Sequence, residues 1–296
     1  YAWGYAGSCI PFVVCLVFVL GYQKMGLSFE TGMMIAFAVV AVWWLVMSLP
    51  LMKQYRQVHY VERKPHAMRE SVGRIIETLR SVRKQKKIFL FLIAFFFFID
   101  GVYTIIDMAT AYGSALGLDS TGMMLALLLV QILGLPFCLL YIKCSEKFGA
   151  RTMVGFGICV YMFICIFAFF MNSLWQFWVL AVLCATSQGG IQALSRSMYG
   201  KLIPDKDRSG EFFGFFDIFG KFSSIMGPAL VGVVSSVVAN GMLGAQGLTA
   251  QTATAEQIDA INAQSSHYGI LSIIIIIIVG AVLYFGFLPK AEHAKQ

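Results

Sequence analysis

Four ionisable side chains lie inside otherwise apolar sequence: Asp100 and Asp107 in the stretch 88–112, Asp217 and Lys221 in the stretch 211–238. A charge in a stretch that enters a bilayer costs about 2.5–3.5 kcal/mol, so each needs a partner or a task. Asp100 and Asp107 are seven residues apart, two turns along one helix face. Asp217 and Lys221 are four apart, the spacing of a same-face ion pair. At ~1.5 Å per residue, Asp100 lies about 18 Å from Ile88 and Lys221 about 15 Å from Glu211. The spacing predicts that these two meet at a common depth, with Asp217 one turn nearer the end at Glu211. Two chemistries fit. One is a fixed ion pair, Asp217–Lys221 or Asp100–Lys221, that locks helices together. The other is a carboxylate at position 100 that changes partner or protonation as the molecule changes shape. Asp107, near the far edge, reads as a wetted rim residue.

Uncharged polar groups gather in the stretch 175–195: Ser187, Gln188, Gln192 and Ser195, followed by Arg196. Gln188 and Gln192 are one turn apart. Amides in such a row either line a water-filled cavity suited to zwitterionic or polyol solutes, or hydrogen-bond between helices. Gly189–Gly190 allows close helix approach or a bend, and Gly227–Pro228 predicts a kink. Gly210, Gly214 and Gly220 read as a packing face, and Gln131 as interhelical packing. None of the seven cysteines has metal-site or redox spacing, and the four histidines fall outside the apolar stretches. These residues imply no metal site and no cofactor. A Gly-x-Ser-x-Gly elbow and a phosphate-cradling glycine loop are both lacking, which speaks against an enzyme.

The elements that must hold these groups are long apolar runs. Hydrophobic residues make up 59% of the chain and charged residues 12%, far from soluble-domain averages. Eight stretches, 4–21, 33–52, 88–112, 121–142, 151–171, 175–195, 211–238 and 268–288, reach the roughly 20 residues a span needs. They show no in/out alternation, so helices and not a barrel are expected. Of 22 Lys and Arg residues, 20 fall in alternate connections: 53–87, 143–151, 196–210 and the tail. Basic loops stay in the cytoplasm, which predicts both chain ends there. The net charge of +7 therefore reads as cytoplasmic retention and attraction to anionic lipid, not nucleic-acid binding. The connection 53–87 divides 1–52 from 88–288, and 289–296 forms a tail. Within the connection Val72, Ile75, Ile76, Leu79 and Val82 recur every three or four residues among Arg and Lys. That pattern predicts an amphipathic helix, lying on the membrane or solvated as a linker. The outer connection 239–267 reads as a polar, mobile loop. Tyr1 stands close before a span with no signal-peptide charge pattern, so the chain is expected to be the latter part of a longer protein.

These segments resemble the major facilitator superfamily of transporters. Glu146-Lys147-Phe148-Gly149-Ala150-Arg151 is similar to the superfamily's acidic-basic-x-Gly-x-basic turn, a cytoplasmic gate motif, although Ile142 stands where that motif begins with Gly. A narrower resemblance, to the vacuole-effluxer-like branch, rests on Ile99-Asp100-Gly101-Val102, Met108 to Gly113, Gln188 to Ser197, Glu211 to Phe215, Gly220 to Ser223 and Gly227-Pro228. The resemblance implies an all-α integral membrane fold, with eight transmembrane helices corresponding to helices 5 to 12 of twelve. It implies a secondary transporter working by alternating access about a mid-membrane site. The expected partners are a lipid bilayer, a small solute such as an amino acid, and protons; the expected place is a bacterial cell membrane. Asp100, Gln188, Gln192, Asp217 and Lys221 are the substrate or coupling candidates. A non-transporting receptor or scaffold on the same fold is the alternative.

Overall fold

In a computed structural model, residues 2–56, 67–204, 206–249 and 251–287 are described. The tail 289–296 and residues 57–66 of the basic connection lie outside them. The described residues form helices α1 (Ala2–Gly21), α2 (Phe29–Gln54), α3 (Ala67–Lys84), α4 (Lys86–Ala115), α5 (Ser120–Phe148), α6 (Ala150–Phe169), α7 (Leu174–Leu202), α8 (Ser209–Ala245) and α9 (Ala255–Phe287). Seven of them, α2 and α4 to α9, are long and apolar enough to cross a membrane, and Gly7–Gly21 of α1 is a shorter apolar helix. The chain is an all-α, multi-pass integral membrane protein.

Local chemistry sets the helix starts. The Ser28 hydroxyl accepts from the Thr31 amide at 3.2 Å to open α2. Asp119 Oδ2 accepts from the Gly122 amide at 2.6 Å to open α5, satisfying orphan donors where an acidic group also suits the helix dipole. The α5–α6 turn is a single residue, Gly149, at φ +84°, a backbone region that is easy only for glycine.

Two contacts tie the ends of the bundle. At one end the Tyr284 hydroxyl donates to the Arg151 carbonyl at 2.9 Å, joining α9 to the start of α6. At the other, the Tyr112 hydroxyl donates to the Ala168 carbonyl at 2.7 Å and sits 2.8 Å from His267 Nδ1. With the tyrosine proton spent on the carbonyl, His267 Nδ1 must carry the proton for that second bond. His267 lies within α9 and not in the loop expected over 239–267.

Between these ties runs an aromatic core in which Phe95 and Phe216 stack at 4.1 Å and Phe216 and Tyr199 at 4.8 Å. Helix α1 docks on α5, and Tyr5 inserts between helices at Gly134 and Gly189. Helix α2 packs on α1 and leaves Trp44, Met34 and Phe37 exposed.

Two expectations about these elements need correction. The segment 239–267 is mostly helical: α8 continues to Ala245 and α9 begins at Ala255, leaving only a short turn. Hydropathy marks where a span leaves the hydrocarbon, not where the helix stops. Thr254 and Gln257 open α9 through reciprocal bonds, at 3.0 Å from the Thr254 amide to Gln257 Oε1 and 3.3 Å from the Gln257 amide to Thr254 Oγ1, a capping box. The glycines also differ from expectation. A Cβ on Gly210 or Gly214 would meet nothing within 4 Å, and Gly220 approaches its neighbours only at 3.9 Å. Close packing falls instead on Gly190 against the Tyr141 ring, Gly227 against Asp100, and Gly280 against the Phe98 backbone.

Candidate functional site

Three helices, α4, α7 and α8, enclose a basin of about 470 Å³ lined by Tyr103, Asp107, Gln192, Arg196, Asp217, Lys221 and Ser224 over an aromatic floor of Phe95 and Phe216. Helical spacing explains the grouping. Asp217, Lys221 and Ser224 follow at steps of four and three on α8, and Gln192 and Arg196 are four apart on α7, so each helix sends one polar stripe to the same side.

Inside the basin the Arg196 guanidinium donates to Asp217 Oδ1 at 2.7 Å. Its central carbon lies 5.0 Å from the Phe213 ring and 5.9 Å from that of Phe216, a cation–π setting that holds the guanidinium in place. Lys221 is exposed and forms no ion pair among the described residues. The basin thus offers a basic group for an anionic moiety and Asp107 for a cationic one. Both line the same basin as the Arg196–Asp217 pair.

Asp100 lies behind the basin and not in it. It is fully buried, and its Oδ1 accepts from the Gly227 amide on α8 at 2.9 Å. Its Oδ2 and the buried Thr104 hydroxyl, one turn on, are neighbours that form no well-aligned hydrogen bond with each other or with any other group among the described residues. The expected meeting of Asp100 with Lys221 does not occur. Gly227 and Lys221 are six residues apart on α8 and so lie on different faces. Nor do Asp217 and Lys221 pair, because Asp217 reaches Arg196 instead. Gly227 and Pro228 lie within an unbroken α8. Proline leaves the Ser224 carbonyl without its usual helical donor, and the bare glycine lets α4 bring Asp100 to the backbone.

Gln188 is separated from Gln192. It lines a second, mostly apolar cavity of about 250 Å³ with Gln131, Thr104 and Tyr112. Gln131 also has a partner on the neighbouring helix α1, accepting from the Ser8 hydroxyl at 3.3 Å. The predicted gate residues lie at the α5–α6 turn, where Glu146 and Lys147 are exposed and Lys147 Nζ stands 5.4 Å from the Phe148 ring centre. Gly149 makes the turn, and the Arg151 Nη1 is buried without a hydrogen-bond partner among the described residues.

Arg196 is the basin residue that sequence reasoning left out of the candidates, since it reads as an end-of-span basic residue until α8 brings Asp217 to it. Tyr103 was missed for a plainer reason: an aromatic among apolar residues carries no signal of its own. No cluster of metal-ligating side chains is present among the described residues.

Known proteins share this chain's pattern. Residues 1–243 match the family described as vacuole effluxer Atg22 like. The MFS-type transporter YxiO of Bacillus subtilis is 39% identical over 289 residues, which is 97% of this chain and 61% of YxiO. Autophagy-related protein 22 of Saccharomyces cerevisiae is 26% identical over 276 residues, 80% of this chain and 51% of that protein. Autophagy-related protein 22-2 of Aspergillus clavatus is 24% identical over 264 residues, covering 78% and 42%. The chain thus spans between two-fifths and three-fifths of the length of these relatives. On the extent of the family match and the identity to YxiO, the chain belongs to the Atg22-like vacuole effluxer family, a branch of the major facilitator superfamily.

Proposed function

We propose that this chain forms one side of the solute pathway of a secondary transporter that exports small zwitterionic solutes, amino acids foremost, by alternating access. In this reading α1 and α2 end the first half of a twelve-helix transporter, α3 belongs to the cytoplasmic linker, and α4 to α9 form the second half. Both ends of the chain face the cytoplasm. The observation that carries the proposal is the exposed Arg196–Asp217 pair with Lys221, Asp107 and Gln192 on one open face of membrane-spanning helices. Such groups are costly against lipid, and they suit a face turned toward water and an opposing protein half. A zwitterion brings one carboxylate and one ammonium, the two charges that this basin can receive.

Proton coupling is assigned to Asp100. Its Oδ1 can keep the Gly227 amide, which joins α4 to α8, in either protonation state, and protonation turns the unpartnered Oδ2 into a donor, so a proton changes what Asp100 can bond behind the basin. The test is uptake into liposomes with and without an imposed pH gradient. The wild-type protein is expected to accumulate solute with the gradient, and Asp100→Asn to exchange solute without responding to it. An unchanged gradient response in Asp100→Asn would remove Asp100 from the coupling step.

A further inference from the structure

The described part of the basic connection 53–87 holds a surface that the basin does not use and that the bundle covers only at one end. Helix α3 carries Val72, Ile75, Ile76, Leu79 and Val82 within an arc of about 120° at 100° per residue. The stripe is used unevenly. Val82, in the last turn, is fully buried where α3 meets α4 and α8, whereas Val72, Ile75, Ile76 and Leu79 are 41–57% exposed. Four branched aliphatic side chains in one row on an otherwise polar helix are an unpartnered apolar face.

Charge identifies the occupant. Residues 67–87 contain seven basic side chains against two acidic ones. Arg80 and Lys84, both exposed, fall on one flank of the stripe. Arg83, also exposed, lies within the arc, where its aliphatic stem can rest on the stripe while its head reaches out. Position agrees: only Gln85, with φ −96° and ψ 86°, separates the end of α3 from the first residue of the spanning helix α4. Helix α3 therefore ends one residue short of the spanning helix α4, and Val82, the last residue of the stripe, lies four residues before Lys86. A basic-flanked apolar stripe next to a spanning helix complements an anionic lipid surface, with hydrocarbon below and negative headgroups at the flank.

We propose that α3 docks its Val72–Leu79 stripe into the anionic leaflet at the end of the bundle where α4 begins, with Val82 as the hinge point on the protein. An 18-residue helix is marginal in water by itself, so its amide protection reports docking. Hydrogen exchange would be compared in nanodiscs of phosphatidylcholine alone and in discs with a quarter of the lipid as phosphatidylglycerol. Amides of residues 72–82 are expected to exchange about tenfold slower or more in the anionic discs. Ile76→Asp with Leu79→Asp should abolish the difference, and Arg80→Glu with Lys84→Glu should shrink it. Exchange in α4 serves as the folding control. Equal protection in both discs, or in detergent alone, would overturn the assignment and point to cover by protein. Equal and rapid exchange everywhere would overturn it in favour of a solvated linker.

Discussion

Arg196 and Asp217 keep 40% and 49% of their side chains exposed. A pair of that kind contributes about 0–1 kcal/mol to stability. Asp217→Asn is therefore expected to unfold in a thermal-shift assay close to the wild-type temperature, yet to lose roughly tenfold or more in transport, the equivalent of about 1.4 kcal/mol. A fall in both would make the pair a structural lock. Asp100 separates the two roles differently. Asn can still accept from the Gly227 amide, so Asp100→Asn should match the wild type in thermal stability. Asp100→Ala strands that buried donor and should cost about 1–3 kcal/mol. The ionisable residues themselves were legible, because a charge in an apolar run stands out. Their partners were not. Arg196 and Asp217 lie on different helices, and whether Asp217 turns to Lys221 or to Arg196 depends on how α7 and α8 pack, which spacing along one helix does not specify.

Helix existence followed from hydropathy: six of the eight expected apolar stretches fall wholly within a helix, 151–171 runs two residues past α6, and the last residue of 268–288 lies outside the described residues. The ends at the 239–267 connection did not follow, since α8 and α9 extend beyond the apolar sequence; the Thr254–Gln257 capping pattern was the available signal. Glycine roles were the harder reading, because a glycine in a span looks the same whether its missing Cβ faces lipid or a neighbouring backbone. The structure makes this testable. A Cβ on Gly280 would come within 2.6 Å of the Phe98 amide nitrogen and 2.9 Å of its Cα, atoms that cannot rotate away. Gly280→Ala should cost about 1–3 kcal/mol by overpacking the α4–α9 contact. Gly214→Ala, which meets nothing within 4 Å, should be neutral or gain up to about 1 kcal/mol from helix propensity. Thermal unfolding of both variants in one detergent checks the contrast. Equal losses would contradict the close α4–α9 approach at Gly280.

On the scale of the whole molecule, the helices divide their faces among three environments. Aromatic packing fills the centre, Trp44, Met34 and Phe37 of α2 carry apolar surface outward, and one face of α4, α7 and α8 carries charge. Composition announced the first two. The third became visible only when packing brought polar stripes from three helices to the same side. If that face lines a solute path, the protein must exchange solute across a sealed membrane. The direct measurement is counterflow of pooled labelled amino acids into liposomes preloaded with the same unlabelled pool. Saturable uptake of label that is absent from protein-free liposomes is the predicted result. Correctly folded protein that exchanges none of the pool would contradict an amino-acid pathway through this basin.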